Sequence, residues 1–309
     1  MSLQTKKIDT RILAGWAAVG FSTLIACFWA YWGSIEAFHE GWYFHSFWKN
    51  IGLTFAQYLS PMMIFILLSL SSIRLPRTGA LLHVAFGFAI PLFVVRTGPA
   101  LLLIAAPLIG LGLLYWVGRP RPHGRAYACA SLLPFALALA CGAPAAFKVA
   151  GRVDDGIRDA RVIEGNGIAL EWAPRGPGWP DDSRGYSWSE ADSICASLTD
   201  DGKSVAATRQ NIWRLPTVEE AVCSMVRHGK NAGGRWDPGA ARAEYAVGPD
   251  KESPLWDSFS PVIYWWTSTS ADEANAYKVV YDGGVWPARR KTRAGSLAFR
   301  AVREVRSGL

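Results

Sequence analysis

Four ionisable side chains crowd one short stretch of this 309-residue chain: Glu36, His39, Glu40 and His45, in "SIEAFHEGWYFHSFWKN". If the apolar helix before them continues, Glu36, His39 and Glu40 fall at i, i+3 and i+4 and share one face. Imidazole and carboxylate on a common face are the ingredients of a metal site or a proton relay. The same stretch holds Trp42, Tyr43, Trp48 and Lys49, the belt and snorkelling residues of a membrane–water interface. The interfacial loop is the preferred reading, because a metal within the membrane would need a further ligand and none can be placed. His83, alone in an apolar run, reads as a hydrogen-bonded packing residue.

A second group lies near the C-terminus: Trp266, Asp272, Tyr277, Trp286, Arg289, Arg290 and Arg293. Aromatic rings stack on sugar faces, and arginines hold carboxylate or sulfate in bidentate fashion. The run "ARRKTR" alone carries four positive charges. These residues suit an acidic glycan or a protein partner; the plainer alternative is a solvated loop beside a packed Trp286.

The elements that must position these groups come from two unlike halves. Residues 1–148 hold 11 Lys+Arg against 3 Asp+Glu, a net of +8; residues 149–309 hold 21 against 22, a net of −1, and together they give the +7 of the whole. The basic excess therefore sits beside apolar segments, where it signals membrane topology rather than a nucleic-acid face. Five apolar stretches stand out, at about 12–35, 51–73, 80–95, 99–117 and 126–149. Crossing the hydrocarbon core takes roughly 20 helical residues, so four of them qualify outright. The short third stretch is separated from the fourth by "RTGP", so these two form either a tight hairpin of spans or a re-entrant pair.

Eight Lys and Arg occupy connections on one side (Lys6, Lys7, Arg11, Arg74, Arg77, Arg119, Arg121, Arg125) and four the other (Lys49, Arg96, Lys148, Arg152). By the positive-inside rule the N-terminus is cytoplasmic and the C-terminal half extracytoplasmic, whether three or five spans cross. The expected site is a bacterial inner membrane, with the lipid bilayer as a partner. A cleaved signal peptide is disfavoured: the first apolar run is longer than a signal sequence carries and has no clear A-x-A site.

From residue 151 to 309 the pattern changes to glycine, proline and tryptophan. "RVIEGNGIALEW" predicts a hairpin about Asn-Gly. Two capping boxes, Ser187-x-x-Glu190 and Thr217-x-x-Glu220, predict helices. Trp188, Ala191, Cys195 and Leu198 would form the buried stripe of one helix, and Val218, Ala221, Val222 and Met225 that of the other. "VIYWWTSTS", "NAYKVVYDGG" and "LAFRAVREV" read as strands, giving an α+β domain. In "WRLPT", Trp213 and Leu215 would fill core, Pro216 would end the strand, Thr217 would cap the helix and Arg214 would pair with a carboxylate or carbonyls.

"GIALEW", "YSWSEADSICASL", "WRLPTVEEAV", "YWWTSTS", "AYKVVYDGG" and "FRAVREV" follow one another in the order seen in the C-terminal domain of the Lcl collagen-like adhesin family. About residues 162–305 resemble that domain. The resemblance implies a C-type-lectin-like fold, related to formylglycine-generating enzymes, and an extracytoplasmic domain binding glycans or other surface ligands. The family often carries a cysteine near the position of Ala301, and this chain departs from it there. Cys195 and Cys223 could bridge in an oxidising compartment, or remain two buried thiols on inward faces.

Enzymes similar in fold need ligands this half lacks. It has no closely spaced cysteine pair for copper and only His228 where iron-dependent relatives cluster histidines. The Glu-Pro-Asn, Gln-Pro-Asp and Trp-Asn-Asp motifs of calcium lectins are missing too. "RWDP" and "LWDS" leave aspartates scattered in loops. No nucleophile–base pair can be placed, so no cofactor is implied and the reading leans away from an enzyme. The expectation is an N-terminal all-α transmembrane bundle of about five helices carrying a lectin-like, ligand-binding α+β domain. Two alternatives stand beside it. One is a membrane enzyme or transport accessory acting through Glu36, His39, Glu40 and His45; the other is a structural subunit of an envelope complex or oligomer. Five spans exceed what an anchor needs, which argues for a bundle with its own role.

Overall fold

The computed structural model describes residues 9–39, 42–94, 98–179 and 184–305, with residues 38–39, 90–94 and 98–104 as backbone only. The chain divides into two compact units, residues 1–39 with 46–147, and residues 40–45 with 148–309.

The first unit is helical: α1 (Thr10–His39), α2 (Phe47–Leu53), α3 (Ser60–Arg74), α4 (Pro76–Val94), α5 (Gly98–Val117) and α6 (His123–Ala150). Two of these, α1 over Thr10–Ala37 and α6, are long and apolar enough to cross a membrane. The stretch expected as one span at 51–73 is instead broken. A π-helical turn at Thr54–Tyr58 joins α2 to α3, and the axis bends by 66° there, so the pair makes at most one further span. The local chemistry accounts for the bend. Leu59 N–H reaches back five residues to Thr54 O (2.9 Å). Thr54 Oγ1 donates to Asn50 O (3.0 Å). Pro61, in the first turn of α3, has no N–H to continue the ladder.

Small residues bring these helices to backbone contact. A Cβ on Gly79 would collide with Ser72, so α4 leaves α3 along a glycine face. Around that crossing Ala18, Val19, Ile73, Ala80 and Tyr115 form an apolar cluster. Several polar side chains inside the bundle bond to one another or to carbonyls. Ser22 Oγ lies 2.9 Å from Tyr115 Oη, and His83 Nδ1 lies 2.9 Å from Gly79 O. His83 is thus a hydrogen-bonded packing residue at Nδ1, while its Nε2 has no partner among the described residues.

The second unit is rich in strands. β1 (Arg161–Gly165) and β2 (Ile168–Trp172) form the expected hairpin, with Asn166 and Gly167 at φ 46° and 87° in its turn. β11 (Val302–Glu304) returns to pair antiparallel with β2, so the two ends of the domain close on each other. Between them, α7 (Trp188–Ser197) and α8 (Val218–Cys223) each begin at a complete capping box, at Ser187/Glu190 and Thr217/Glu220. Two short hairpins follow: β3 (Val226–Arg227) with β4 (Lys230–Asn231), and β5 (Arg235–Asp237) with β6 (Arg242–Glu244). A second sheet has the order β10-β7-β8-β9, from β7 (Tyr264–Ser270), β8 (Asn275–Val280), β9 (Val285–Arg289) and β10 (Leu297–Ala298).

The core of this unit is built on tryptophan. Trp172, Trp213, Trp256, Trp265 and Trp266 are all fully buried, with Leu215 and Phe299 among them. The "WRLP" corner forms as its residue types require. Trp213 Nε1 donates to Thr199 O (3.0 Å) from within the core. Arg214 forks onto Glu220 (2.8 and 2.7 Å) and reaches Glu304 (3.0 Å), joining the start of α8 to the last strand.

Candidate functional site

The strand register sorts the residues singled out near the C-terminus. Along a strand, side chains alternate between faces, and residues paired across two strands share a face. Tyr277 pairs with Pro287 and Asn275 with Arg289, while Lys278 pairs with Trp286 and with Trp266. Tyr277, Pro287 and Arg289 therefore share one face of the β8–β9 ribbon, and Trp286 lies on the other.

Three of the seven are open or half-open. Arg289 is exposed at the end of β9 and makes no ion pair among the described residues. Tyr277 is half-buried, with its ring edge-on to Trp236 of β5 at 5.6 Å between centroids. Trp286 is 58% exposed. On its face, Lys278 Nζ sits 3.5 Å above the Tyr264 ring, and burial pulls the Lys278 ammonium below its ordinary range.

The other four do structural work. Trp266, expected at a ligand, is 0% exposed and donates from Nε1 to Tyr186 O (2.8 Å), because β7 runs through the middle of its sheet. Asp272 closes the β7–β8 turn, accepting from the N–H groups of Ala274 and Asn275 at 2.8 Å. Arg290 lies 4.4 Å over the Trp188 ring and bonds Ser270 Oγ. Arg293 pairs with Glu190, the acid of the α7 capping box. Within the basic run, Arg290 and Arg293 have partners in α7 and its surroundings, while Arg289, Arg290 and Lys291 together line an open depression with Glu273, Ala274 and Asn275. Lys291, like Arg289, has no ion-pair partner among the described residues.

The group weighed as a metal or proton site after the first span lies only partly within the described residues. The His39 side chain and Glu40 lie outside the described residues. Glu36 stays half-buried on α1 in the first unit, whereas His45 belongs to the second, its ring 4.1 Å from that of Phe259. Among the described residues, no group of three or more His, Cys, Asp and Glu is placed to hold a metal ion. Cys195 and Cys223 are separate buried thiols rather than a disulfide. Cys195 lies in the core cluster, whereas Cys223 donates to Gly234 O (3.5 Å). Burial, aided by Asp192, pushes the Cys195 thiol well up, and burial with Glu219 raises that of Cys223.

A buried ionic knot escaped the sequence reading. Asp250, with a side chain 0% exposed, takes Arg152 at 2.8 Å, Arg227 at 2.9 Å and Lys148 at 3.8 Å. Glu252 shares Arg227 (2.9 Å) and accepts from His228 N–H (2.6 Å). Asp154 forks with Arg158 (2.9 and 2.8 Å) and accepts from Ser258 Oγ (3.0 Å). Asp257, the "LWDS" aspartate, receives Arg158 at 3.2 Å and Arg175 at 3.6 Å. Burial alone would raise Asp154. The bonds from Arg158, Gly156 N–H and Ser258 outweigh it and hold the carboxyl far below its usual range. Asp250 is likewise lowered, with the Arg152 charge overcoming burial. With every carboxylate here committed to a guanidinium or ammonium, the knot has structural rather than acid–base character. The signal available in sequence was the density of paired signs in "GRVDDGIRDAR" and "PDKES".

Comparison with known protein families, with curated proteins and with solved structures finds no match to this chain.

Proposed function

We propose that this chain is a non-catalytic membrane protein of the bacterial cytoplasmic membrane, carrying an Lcl-type, C-type-lectin-like domain on the outer side. In this reading five helical crossings anchor the domain, which binds an acidic glycan through the Tyr277–Pro287–Arg289 face of the β8–β9 ribbon.

The carrying observation is that Arg289 and Lys291 stand exposed without an ion pair among the described residues, beside the Tyr277–Trp236 aromatic pair. Two exposed cations next to a ring platform suit a ligand with both charge and an apolar face. The two capped helices follow one another before the last strands in the order of the quoted motifs, and this order supports the family reading.

Orientation has its own support. The His45–Phe259 contact groups the segment after α1 with the C-terminal domain, which supports reading both as lying on one side of the membrane. An even number of crossings must then separate them. The bent α2–α3 pair and α6 satisfy this when α4 and α5 both cross or neither does, and the Lys/Arg bias makes that side the outer one.

The test uses the full chain in detergent on an array of neutral and acidic glycans. Retention of acidic glycans at low salt is expected, with a loss of roughly five- to tenfold on Arg289→Ala and again on Lys291→Ala. A folded protein that binds nothing, or binds regardless of both substitutions, defeats the proposal. Loss on Trp286→Ala alone would move the site to the opposite face.

A further inference from the structure

Arginines gather at the helix ends of the first unit with almost no acid beside them. Arg11 opens α1, Arg74 closes α3, Arg77 begins α4, Arg119 follows α5, and Arg121 and Arg125 flank the start of α6. Packing brings these ends together. Ile73, Ala80, Tyr115 and Ala126 each lie within about one turn of one of these arginines. All four are buried in a single cluster with Ala18 and Val19 of α1. Two bonds tie the α5–α6 connection to α1: Arg119 N–H donates to Arg11 O (2.8 Å), and Trp16 Nε1 to Arg121 O (2.9 Å).

Arg119 uses its guanidinium locally, Nη1 donating to Gly118 O (2.7 Å) and Trp116 O (3.1 Å) at the end of α5. The other five are exposed and have no ion pair among the described residues. Asp9 is the one acidic residue described at this end, and its carboxylate accepts from Arg11 N–H at 2.9 Å. Glu36, the other acid described in this unit, lies 25 residues along α1 from Arg11, roughly 37 Å away. Membrane topology alone needs basic residues in the connections of one side; it does not need them gathered over one packed cluster. Exposed apolar side chains adjoin these cations: Leu13 near Arg11, Leu75 between Arg74 and Arg77, and Trp116 and Val117 just before Arg119. An acidic protein or a nucleic acid would leave that apolar surface unused. A phospholipid offers phosphate and then acyl chain, matching cation and then apolar flank.

We propose that this end of the first unit binds anionic phospholipid, with the five exposed arginines on the headgroup phosphates and the acyl chains along the apolar flanks. The partner is a lipid such as phosphatidylglycerol, not free phosphate. The proposal rests on reading this unit as membrane-spanning, and it makes no use of Arg289 or Lys291.

The full chain in neutral detergent is followed by native mass spectrometry with phosphatidylglycerol or phosphatidylcholine of identical acyl chains. Each arginine beside an anionic headgroup is worth about a fivefold factor, so a preference of about tenfold or more for phosphatidylglycerol is expected. Arg121→Gln with Arg125→Gln, and separately Arg74→Gln with Arg77→Gln, should each weaken phosphatidylglycerol about tenfold and leave phosphatidylcholine unchanged. Lys230→Gln with Arg235→Gln, exposed positions of the second unit, removes the same charge and should change neither lipid. Equal binding of the two lipids, an equal loss in all three double variants, or displacement of the lipid by equimolar inorganic phosphate would overturn the proposal. Alkaline carbonate extraction of membranes holding the full chain tests the underlying reading separately. Release into the supernatant refutes the membrane assignment itself, whereas retention without lipid preference refutes the lipid site alone.

Discussion

Asp250→Asn isolates the charge at the centre of the ionic knot. Asparagine keeps the volume of the side chain and an oxygen for Lys251 N–H, which Asp250 Oδ1 accepts at 2.8 Å. What it removes is the countercharge of Arg152, whose side chain is 2% exposed and whose one ion-pair partner among the described residues is Asp250. Breaking a buried pair on one side costs about 3–5 kcal/mol. Arg227 keeps Glu252 at 2.9 Å, and Lys148 is open to solvent, so the lower end of that range applies. At about 2–4 °C for each kcal/mol in a unit of this size, a loss of about 3 kcal/mol lowers the midpoint by roughly 6–12 °C. Tryptophan fluorescence of the detergent-solubilised chain reads the transition, because the core indoles of the second unit lose their burial together. Glu244→Gln is the control, since the Arg242–Glu244 pair is 73% and 68% exposed and should change stability by no more than about 0.5 kcal/mol. Adding Arg152→Met to Asp250→Asn should restore part of the loss, because the uncompensated charge is then gone. If Asp250→Asn costs no more than the control, the knot contributes nothing as a buried network and the reasoning fails.

Other consequences follow from the same geometry. The folded state holds Asp154, Asp250 and Glu220 below their ordinary carboxylate values, so their stabilisation is complete above about pH 4 and is lost as pH falls through the lowered values. Acid titration of the melting midpoint should show a steep fall below about pH 4, and a flat profile down to pH 2 would contradict it. Thr217→Ala removes an N-cap that receives Glu220 N–H at 3.1 Å and should cost about 1 kcal/mol by chemical denaturation. Trp266→Ala, at a fully buried site, should cost about 3–5 kcal/mol, whereas the exposed Trp286→Ala should stay within about 0.5 kcal/mol. Equal effects of these two would mean that the register of β7–β9 is wrong.

Elements governed by near neighbours were legible in the sequence. Asn166-Gly167 sets its own turn, Ser187 and Thr217 cap helices three residues from their partners, and Arg214 finds Glu220 six residues on. The candidate site was half legible. Residue types placed Tyr277, Trp286 and Arg289 in the last strands, but alternation separates Trp286 from Arg289, an odd number of positions apart. Trp266 looked like a stacking ring because nothing local announces that β7 is interior to its sheet. The ionic knot was hidden for the same reason: Arg152 and Asp250 meet across nearly a hundred residues, and their pairing depends on the folded core between them. The break between α2 and α3 had a visible cue in Pro61, but hydropathy is blind to it, since a bent pair is as apolar as a straight span.

The side of the membrane on which the second unit lies decides whether an extracellular or envelope ligand can reach it at all. The direct measurement is labelling of Lys291→Cys, at an exposed position, with a membrane-impermeant maleimide on intact spheroplasts, with the unsubstituted protein as background. The account predicts full labelling before lysis. Labelling that appears only after the membrane is opened would place the domain in the cytoplasm and contradict it.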